Sequence, residues 1–277
     1  GFTMRVPVGV VGAITPFNFP LNLVVHKLAP AIAAGCAVVL KPAHQTPLTG
    51  VMIADLLVDE CGLPSGYLHV TTGSGREVGA ALVAHPGVAM ITFTGSPEVG
   101  WGIRAAEPRK RVSIELGNNA PVIIEPDADW RDAAGRIALA GTSHAGQSCI
   151  SVQRVFVHEA VYEKFSAMLA QRVAGMVTGD PLDPSTDVGP VIDRHSAERI
   201  GVWIDEARQA GATILAGGTV DGTVVHPTVL TDVAPDQKVV CEEVFGPVLS
   251  LIRYEDAEDA LAQMDDSEFG LQAGLFT

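Results

Sequence analysis

Apolar runs that alternate with helical patterns constrain the fold of this chain more than any other feature. From Val8 onward, strand and helix signals alternate about every twenty-five residues. The runs at 37–40 and 88–94 are largely apolar or β-branched throughout, as expected for parallel strands that are covered on both faces. The pattern therefore predicts a doubly wound, mostly parallel α/β sheet with right-handed crossovers.

The alternation becomes less regular in the second half of the chain. It is interrupted by the segment Gly117-Asn118-Asn119-Ala120-Pro121, so we expect one α/β domain over residues 1–118 and a second over 119–277. The chain enters a strand pattern almost at once and stops inside the apolar run 273–277. We interpret it as a fragment, with the first domain incomplete on its N-terminal side and the second on its C-terminal side.

Charge and cysteine usage narrow the classes of partner. The 277 residues carry a formal net charge of −14, which argues against binding to nucleic acid. An anionic ligand would have to be bound by local donors. The four cysteines are widely spaced, so we expect no metal site. No apolar run reaches membrane-spanning length, and no secretion signal precedes Cys36 and Cys61. We therefore expect a cytoplasmic protein without a membrane partner.

Two short segments offer a thiol and a carboxylate. Glu115 stands at the end of an apolar strand pattern, and Cys149 follows a helical one. A thiolate can attack a carbonyl carbon, and a carboxylate can later activate water to release the acyl group. Each residue alone has an ordinary structural explanation, because single cysteines are commonly buried apolar residues. Asn18, Lys41 and Gly95 also fall at predicted strand ends, where ligands bind in doubly wound sheets.

Six short motifs follow one another along essentially the whole sequence. They are Pro7–Pro20 (PVGVVGAITPFNFP), Lys41-Pro42-Ala43, Phe93–Gly100 (FTGSPEVG), Glu115-Leu116-Gly117, Gly146–Cys149 (GQSC) and Glu242–Val248 (EEVFGPV). Each motif is weak alone, but together and in this order they resemble those of the aldehyde dehydrogenase superfamily.

The resemblance implies roles for three catalytic residues. Cys149 would be the nucleophile that forms a thiohemiacetal with an aldehyde substrate. The side-chain amide of Asn18 and the backbone N–H of Cys149 would stabilise the oxyanion. Glu115 would act as the general base that hydrolyses the resulting thioester to a carboxylic acid.

The resemblance also implies a nicotinamide cofactor, NAD+ or NADP+, bound mainly by residues 1–118, with residues 119–277 forming the catalytic domain. Relatives that prefer NAD+ often carry Glu where this chain has His44, so NADP+ remains open. A second departure is Asn118, where many members have Gly. We interpret the glycine cluster 73–79 as a turn near the adenine at most. The implied cofactor-binding residues are Thr15, Pro16, Lys41, His44, Gly95, Ser96, Leu116, Glu243 and Phe245.

Several alternatives remain open from the sequence. A coenzyme A-acylating relative would pass the acyl group to a thiol, but such relatives tend to lack a carboxylate at the position of Glu115. A non-catalytic protein on the same scaffold would not need Cys149, Glu115 and Asn18 together. A thiol hydrolase that uses His144 with Cys149 is disfavoured by their spacing. The resemblance further implies a homodimer or homotetramer in the complete protein.

Overall fold

The structure is a computed structural model that describes residues 1–277. The chain divides into two compact units, Gly1–Leu116 and Gly117–Thr277. The division lies two residues before the boundary expected from the sequence. Each unit is built around its own β-sheet.

A five-stranded, entirely parallel sheet forms the centre of the first unit. Its strands follow the order β3-β2-β1-β4-β5. Their bounds are β1 (Val10–Ile14), β2 (Ala37–Lys41), β3 (Leu68–Val70), β4 (Val88–Thr94) and β5 (Arg111–Glu115). The helices between them are α1 (Asn22–Ala33), α2 (Pro47–Asp55), α3 (Ala80–Ala84) and α4 (Pro97–Ala106).

Side-chain alternation along the strands assigns these helices to two faces of the first sheet. Val11 and Ala13 of β1 belong to one core cluster, which includes residues of α1 and α2. Ile14 belongs to the other cluster, with residues of α3 and α4. The doubly wound architecture predicted from the sequence is therefore confirmed. Residues 75–79 form a single π-helical turn before α3, a winding that the sequence did not indicate.

The second unit contains a six-stranded sheet in the order β13-β6-β7-β12-β11-β8. All pairings are parallel except that of β8 with β11. The strands are β6 (Pro121–Ile124), β7 (Arg154–His158), β8 (Thr213–Ala216), β11 (Thr228–Thr231), β12 (Val248–Tyr254) and β13 (Gly274–Phe276). A separate hairpin, which the sequence analysis missed, pairs β9 (Val220–Asp221) with β10 (Val224–Val225).

Helices cover both faces of the second sheet as well. One face carries α5 (Trp130–Thr142) and α6 (Glu159–Ala174), which pack on a core cluster that includes Val155 and Leu249. Adjacent strand positions, such as Phe156 and Val248, belong to clusters on the opposite face. The helices of that face are α7 (Arg194–Gln209), α8 (Lys238–Cys241) and α9 (Ala257–Asp265). None of the helices in the molecule combines the length and apolar character that a membrane crossing requires.

Candidate active site

The carboxyl edge of the first sheet brings together four residues that the sequence predicts to be functional. Thr15 lies beside Lys41, since its backbone N–H donates to the Lys41 carbonyl at 3.2 Å. Gly95 lies beside Glu115, whose carbonyl accepts from the Gly95 N–H at 3.1 Å. Because β1 is flanked by β2 and β4, these two pairs are neighbours along one edge. The Glu115 side chain is exposed there.

A buried lysine of α1 is hydrogen-bonded to strand β4 near this edge. The Lys27 Nζ donates to Thr94 Oγ1 at 2.7 Å and to Thr92 Oγ1 at 3.3 Å. Burial lowers the pKa of Lys27 to about 8, and the negative charge of Glu115 partly opposes this change. The sequence analysis did not single out Lys27, although a lysine within an otherwise apolar helix is a recognisable signal.

An open, mostly apolar cavity of about 680 Å³ lies within the first unit between the π-turn and α4. Gly75, Gly79 and Gly102 are among the residues that line it, and a Cβ built at Gly102 would meet no atom within 4 Å. Lys41 runs past this turn, because a Cβ at Gly79 would contact the Lys41 Cδ at 3.8 Å. Arg76 of the π-turn also lines the cavity. The segment 73–79, interpreted from the sequence as a turn, thus contributes Gly75, Arg76 and Gly79 to a cavity large enough to bind a small molecule.

Two polar groups, just beyond β1 and β4, have the chemistry that binds an anionic or hydrogen-bonding ligand. Ser96 is the N-cap residue of α4, and backbone N–H groups at a helix N-terminus favour an anion. The buried Thr15 Oγ1 has no hydrogen-bond partner within the protein. A bound ligand that offers an acceptor would satisfy this hydroxyl.

The remaining predicted residues of the first unit have distinct environments. Asn18 is buried, and His44 is exposed just beyond β2. Pro16 is half-buried. Leu116 is also half-buried and packs against Gly100, where an added Cβ would overlap the Leu116 side chain. That close contact explains why α4 has a glycine at its centre.

In the second unit, Cys149 follows a turn at residues 144–146 with an unusual backbone, here called the Cys149 turn. His144, Ala145 and Gly146 all have positive φ values, of 59°, 54° and 70°. Non-glycine residues rarely adopt this left-handed conformation, and it is concentrated at functional sites. The turn is closed by a hydrogen bond from the Ser148 N–H to the Gly146 carbonyl at 2.9 Å. Cys149 itself is half-buried, and none of the four cysteines forms a disulfide.

The Cys149 turn packs directly on the segment that carries Glu243 and Phe245. A Cβ built at Gly146 would overlap the Gly246 carbonyl and the Pro247 nitrogen. Only glycine permits so close an approach of two backbones. Two motifs that are far apart in the sequence are therefore adjacent within the second unit.

Glu243 is held by the segment that follows the first unit. The Asn118 N–H donates to the Glu243 Oε1 at 2.9 Å, and Gly117 leaves the space that the carboxylate occupies. Burial raises the pKa of the Glu243 carboxyl, while the Asn118 hydrogen bond and the charge of Arg199 act in the opposite direction. Phe245, two residues later, has a φ of 49°. A bulky residue in this conformation is a genuine backbone outlier.

Sequence reasoning missed two residues that hold this segment. Arg199 of α7 donates to the Val244 carbonyl at 2.7 Å, and burial lowers the pKa of its guanidinium while the charge of Glu243 raises it. Gln153 contacts the same segment through its side-chain amide. Neither lies in a recognisable motif with Glu243, so no local pattern connects them to it.

Each unit brings together its own set of chemically reactive or ligand-binding groups. The first unit places a carboxylate, a lysine and a helix N-terminus around one edge of its sheet. The second unit places the turn that precedes Cys149 against the segment that carries the partly buried carboxylate of Glu243. No cluster of three or more His, Cys, Asp or Glu residues is arranged to bind a metal ion.

Comparison with known proteins identifies the family. The model of the aldehyde dehydrogenase family matches residues 1–277, and the chain belongs to that family. It is 49% identical over 276 residues to the 3-sulfolactaldehyde dehydrogenase of Priestia aryabhattai, covering 100% of this chain and 58% of the relative. It is 40% identical over 278 residues to the NADP(+)-dependent succinate-semialdehyde dehydrogenase GabD of Escherichia coli (strain K12), covering 99% and 58%.

Solved structures agree with this assignment. The crystal structure of Mycobacterium tuberculosis aldehyde dehydrogenase complexed with NAD+ superposes with a TM-score of 0.94 at 40% identity. The match covers 98% of this chain and 57% of that one. The present chain thus spans a little over half the length of the relatives it matches.

Proposed function

We propose that the complete protein oxidises an aldehyde to a carboxylic acid and transfers a hydride to NAD+ or NADP+. The observation that carries the proposal is the contact between the Cys149 turn and the segment of Glu243 and Phe245. This contact unites, within one unit, the thiol motif and the later motif that the family uses for its cofactor. Family membership supports the same reaction class.

The first half of the proposed reaction forms a thioester on Cys149. Its thiolate attacks the aldehyde carbon, a C–S bond forms, and the carbonyl π electrons move to oxygen. The side-chain amide of Asn18 and the backbone N–H of Cys149 donate to that oxyanion, an interaction whose loss typically slows such reactions by about 10²–10³-fold. A bound nicotinamide would supply the acceptor for the hydride that leaves as the C=O bond re-forms.

Glu115 carries the second half. Its carboxylate takes a proton from water, and the resulting hydroxide attacks the thioester carbon. The C–S bond then breaks, which releases the acid and restores the thiolate. The exposed position of Glu115 at the end of β5 gives this carboxylate access to water.

Substitution of the two groups separates the half-reactions. We expect Cys149→Ala to abolish formation of reduced cofactor. We expect Glu115→Gln to give one burst of reduced cofactor per active site and then to stall, because the thioester is no longer hydrolysed. Stopped-flow detection of reduced cofactor measures both effects, and Glu163→Gln, an exposed acid on α6, serves as the control. Equal burst and steady-state rates in Glu115→Gln would show that Glu115 is not the base.

The choice of cofactor depends, in this proposal, on the group at position 44. The cavity beside Arg76 and Lys41 would take the adenosine, and the exposed His44 lies three residues beyond Lys41. An imidazole does not repel a ribose 2′-phosphate as a carboxylate would, so both NAD+ and NADP+ are accepted.

His44→Glu tests this assignment. We expect it to lower the ratio of kcat/KM for NADP+ to that for NAD+ by about tenfold or more, because like charges oppose the phosphate. Gln45→Glu adds the same charge at the adjacent exposed position and should leave the ratio nearly unchanged. An equal fall in both variants would mean that general charge, rather than position 44, determines the preference.

For the substrate, we propose a short polar aldehyde. Ser148 and Ile150 flank the nucleophile, and this combination suits a pocket of mixed polarity. The relatives named for 3-sulfolactaldehyde and succinate semialdehyde act on aldehydes that are small and carry an anionic group. Steady-state rates with these two aldehydes and lactaldehyde, each with NAD+ and NADP+, would rank the candidates.

A further inference from the structure

The side chain of Gln153 grips both peptide groups that flank Glu243. Its Nε2 donates to the Glu242 carbonyl at 2.6 Å, and its Oε1 accepts from the Val244 N–H at 2.9 Å. These two groups belong to the peptide bonds immediately before and after Glu243. A single amide that binds both restricts φ and ψ of Glu243 and so fixes the direction of its Cα–Cβ bond, from which the side chain extends.

Gln153 is itself held rigidly. Its backbone N–H donates to the Ala120 carbonyl at 3.0 Å, and its carbonyl accepts from the Ser250 N–H at 2.8 Å. The residue is 5% exposed, and its Nε2 makes a further hydrogen bond to the Val239 carbonyl at 3.1 Å. The backbone of Gln153 is therefore held from two sides, by Ala120 just before β6 and by Ser250 of β12, so its side chain starts from a fixed position.

No other side chain grips Glu243 in this way. Arg199 holds the Val244 carbonyl, and Asn119 donates to the Val240 carbonyl at 3.1 Å. These contacts anchor the ends of the segment without binding the two peptide groups beside Glu243. Gln153 also lies only four residues beyond Cys149, so it joins the chain that carries the thiol to the segment that carries the carboxylate.

We propose that Gln153 is a positioning residue that sets the orientation of Glu243 for binding the nicotinamide ribose of the cofactor. This inference rests on the proposed function, in which the Glu243 carboxylate accepts hydrogen bonds from the ribose hydroxyls. Gln153 touches neither the cofactor nor the substrate. Its effect on affinity passes entirely through the backbone of residues 242–244.

Calorimetric titration of the complete protein with NAD+ and NADP+ tests the proposal. Gln153→Leu removes all three side-chain hydrogen bonds at similar volume, and we expect the dissociation constant of the better cofactor to rise on the order of tenfold. Ser250→Ala is the matched control, because the Ser250 hydroxyl donates only to the Val239 carbonyl, at 3.0 Å. It should change the dissociation constant less than about twofold.

A double-mutant cycle separates positioning from general support. Because Gln153 acts through Glu243, adding Gln153→Leu to Glu243→Gln should weaken binding by no more than about twofold beyond Glu243→Gln alone. The rate at which iodoacetamide alkylates Cys149 should stay the same in Gln153→Leu. Additive effects, or a parallel loss of cofactor affinity and thiol reactivity, would overturn the proposal.

Two further results complete the test. If Gln153→Leu does not fold, Gln153→Glu keeps the acceptor for the Val244 N–H and removes the donors, and unchanged affinity in that variant would overturn the proposal. If the unaltered protein binds neither NAD+ nor NADP+, the proposed function fails and this inference with it. If it binds one of them and Gln153→Leu binds equally well, only the role of Gln153 is rejected.

Discussion

Because Gly117 has no side chain, the Glu243 carboxylate lies in the space that the side chain of a larger residue would fill. A Cβ built at Gly117 would overlap Glu243 Oε2 and lie 3.2 Å from Oε1. The flexible end of a side chain can move out of such a contact, whereas backbone cannot. The structural consequence of a larger residue here is therefore a displaced carboxylate rather than an unfolded protein.

We expect Gly117→Ala to raise the KM for the nicotinamide cofactor by about tenfold with little loss of stability. Steady-state kinetics and chemical denaturation measure the two quantities. Gly135→Ala on α5 is a suitable control, since its nearest contact would be an ordinary 3.6 Å to Arg172. That change should stabilise the protein by up to about 1 kcal/mol without affecting KM. A large stability loss with an unchanged KM in Gly117→Ala would contradict the expectation.

Single residues also show where sequence reasoning reaches its limit. Glu115 and Gly95 could be placed at one edge because parallel strands end together, and the structure has them hydrogen-bonded there. The left-handed φ of Phe245 could not be anticipated, because nothing in the residue type favours that conformation. Gln153 and Arg199 were missed because their contacts to the Glu243 segment are long-range and join no local pattern.

At the scale of elements, α1 illustrates how a helix with an apolar sequence can carry a charge into the protein. Lys27 lies on the face of α1 that meets β4, where Thr92 and Thr94 accept its hydrogen bonds. The pKa of Lys27 is about 8 in the folded protein, below its ordinary value near 10.4 in an unfolded chain. The unfolded state therefore binds this proton more readily.

The sign of the pH effect follows from that difference. The contribution of Lys27 to stability is fully present above its unfolded pKa and is lost as the pH falls through about 8. Relative to Lys27→Met, the wild-type free energy of unfolding should rise by roughly 3 kcal/mol between pH 7 and pH 10.5. Urea denaturation of both proteins over this range measures it. Parallel curves would show that the Lys27 charge is not suppressed by burial.

Element boundaries agree with the sequence where patterns are strong. Strand β4 ends at Thr94, as the run at 88–94 predicts, and Gly95-Ser96-Pro97 marks the turn that leads into α4. The π-turn at 75–79 was not predicted. It begins after Ser74, whose hydroxyl oxygen accepts from the Glu77 N–H at 3.1 Å.

At the scale of the whole molecule, the two units contribute different parts of the proposed reaction. Glu115 belongs to the first unit and Cys149 to the second. A thioester on Cys149 can be released by water or by an external thiol, and the outcome depends on whether a base is available for water. The presence of Glu115 favours water.

We therefore expect the complete protein to release free carboxylic acid, with a rate and product unaffected by coenzyme A. Mass spectrometry of the products, with and without coenzyme A, checks this expectation. In Glu115→Gln the same assay should show acyl thioester retained on the protein. Formation of an acyl-coenzyme A by the unaltered protein would instead establish the alternative transfer reaction.

The contact of Gly146 with Gly246 and Pro247 also has a consequence for engineering the protein. Libraries that seek new substrates can vary Ser148 and Ile150, which flank Cys149 in the sequence. Substitutions at Gly146 are expected to prevent folding, because the backbone of residues 246–247 cannot move away from an added side chain. If the loop that carries Cys149 is replaced by that of another family member, residues 245–247 should be replaced together with it, because the two segments pack as one unit.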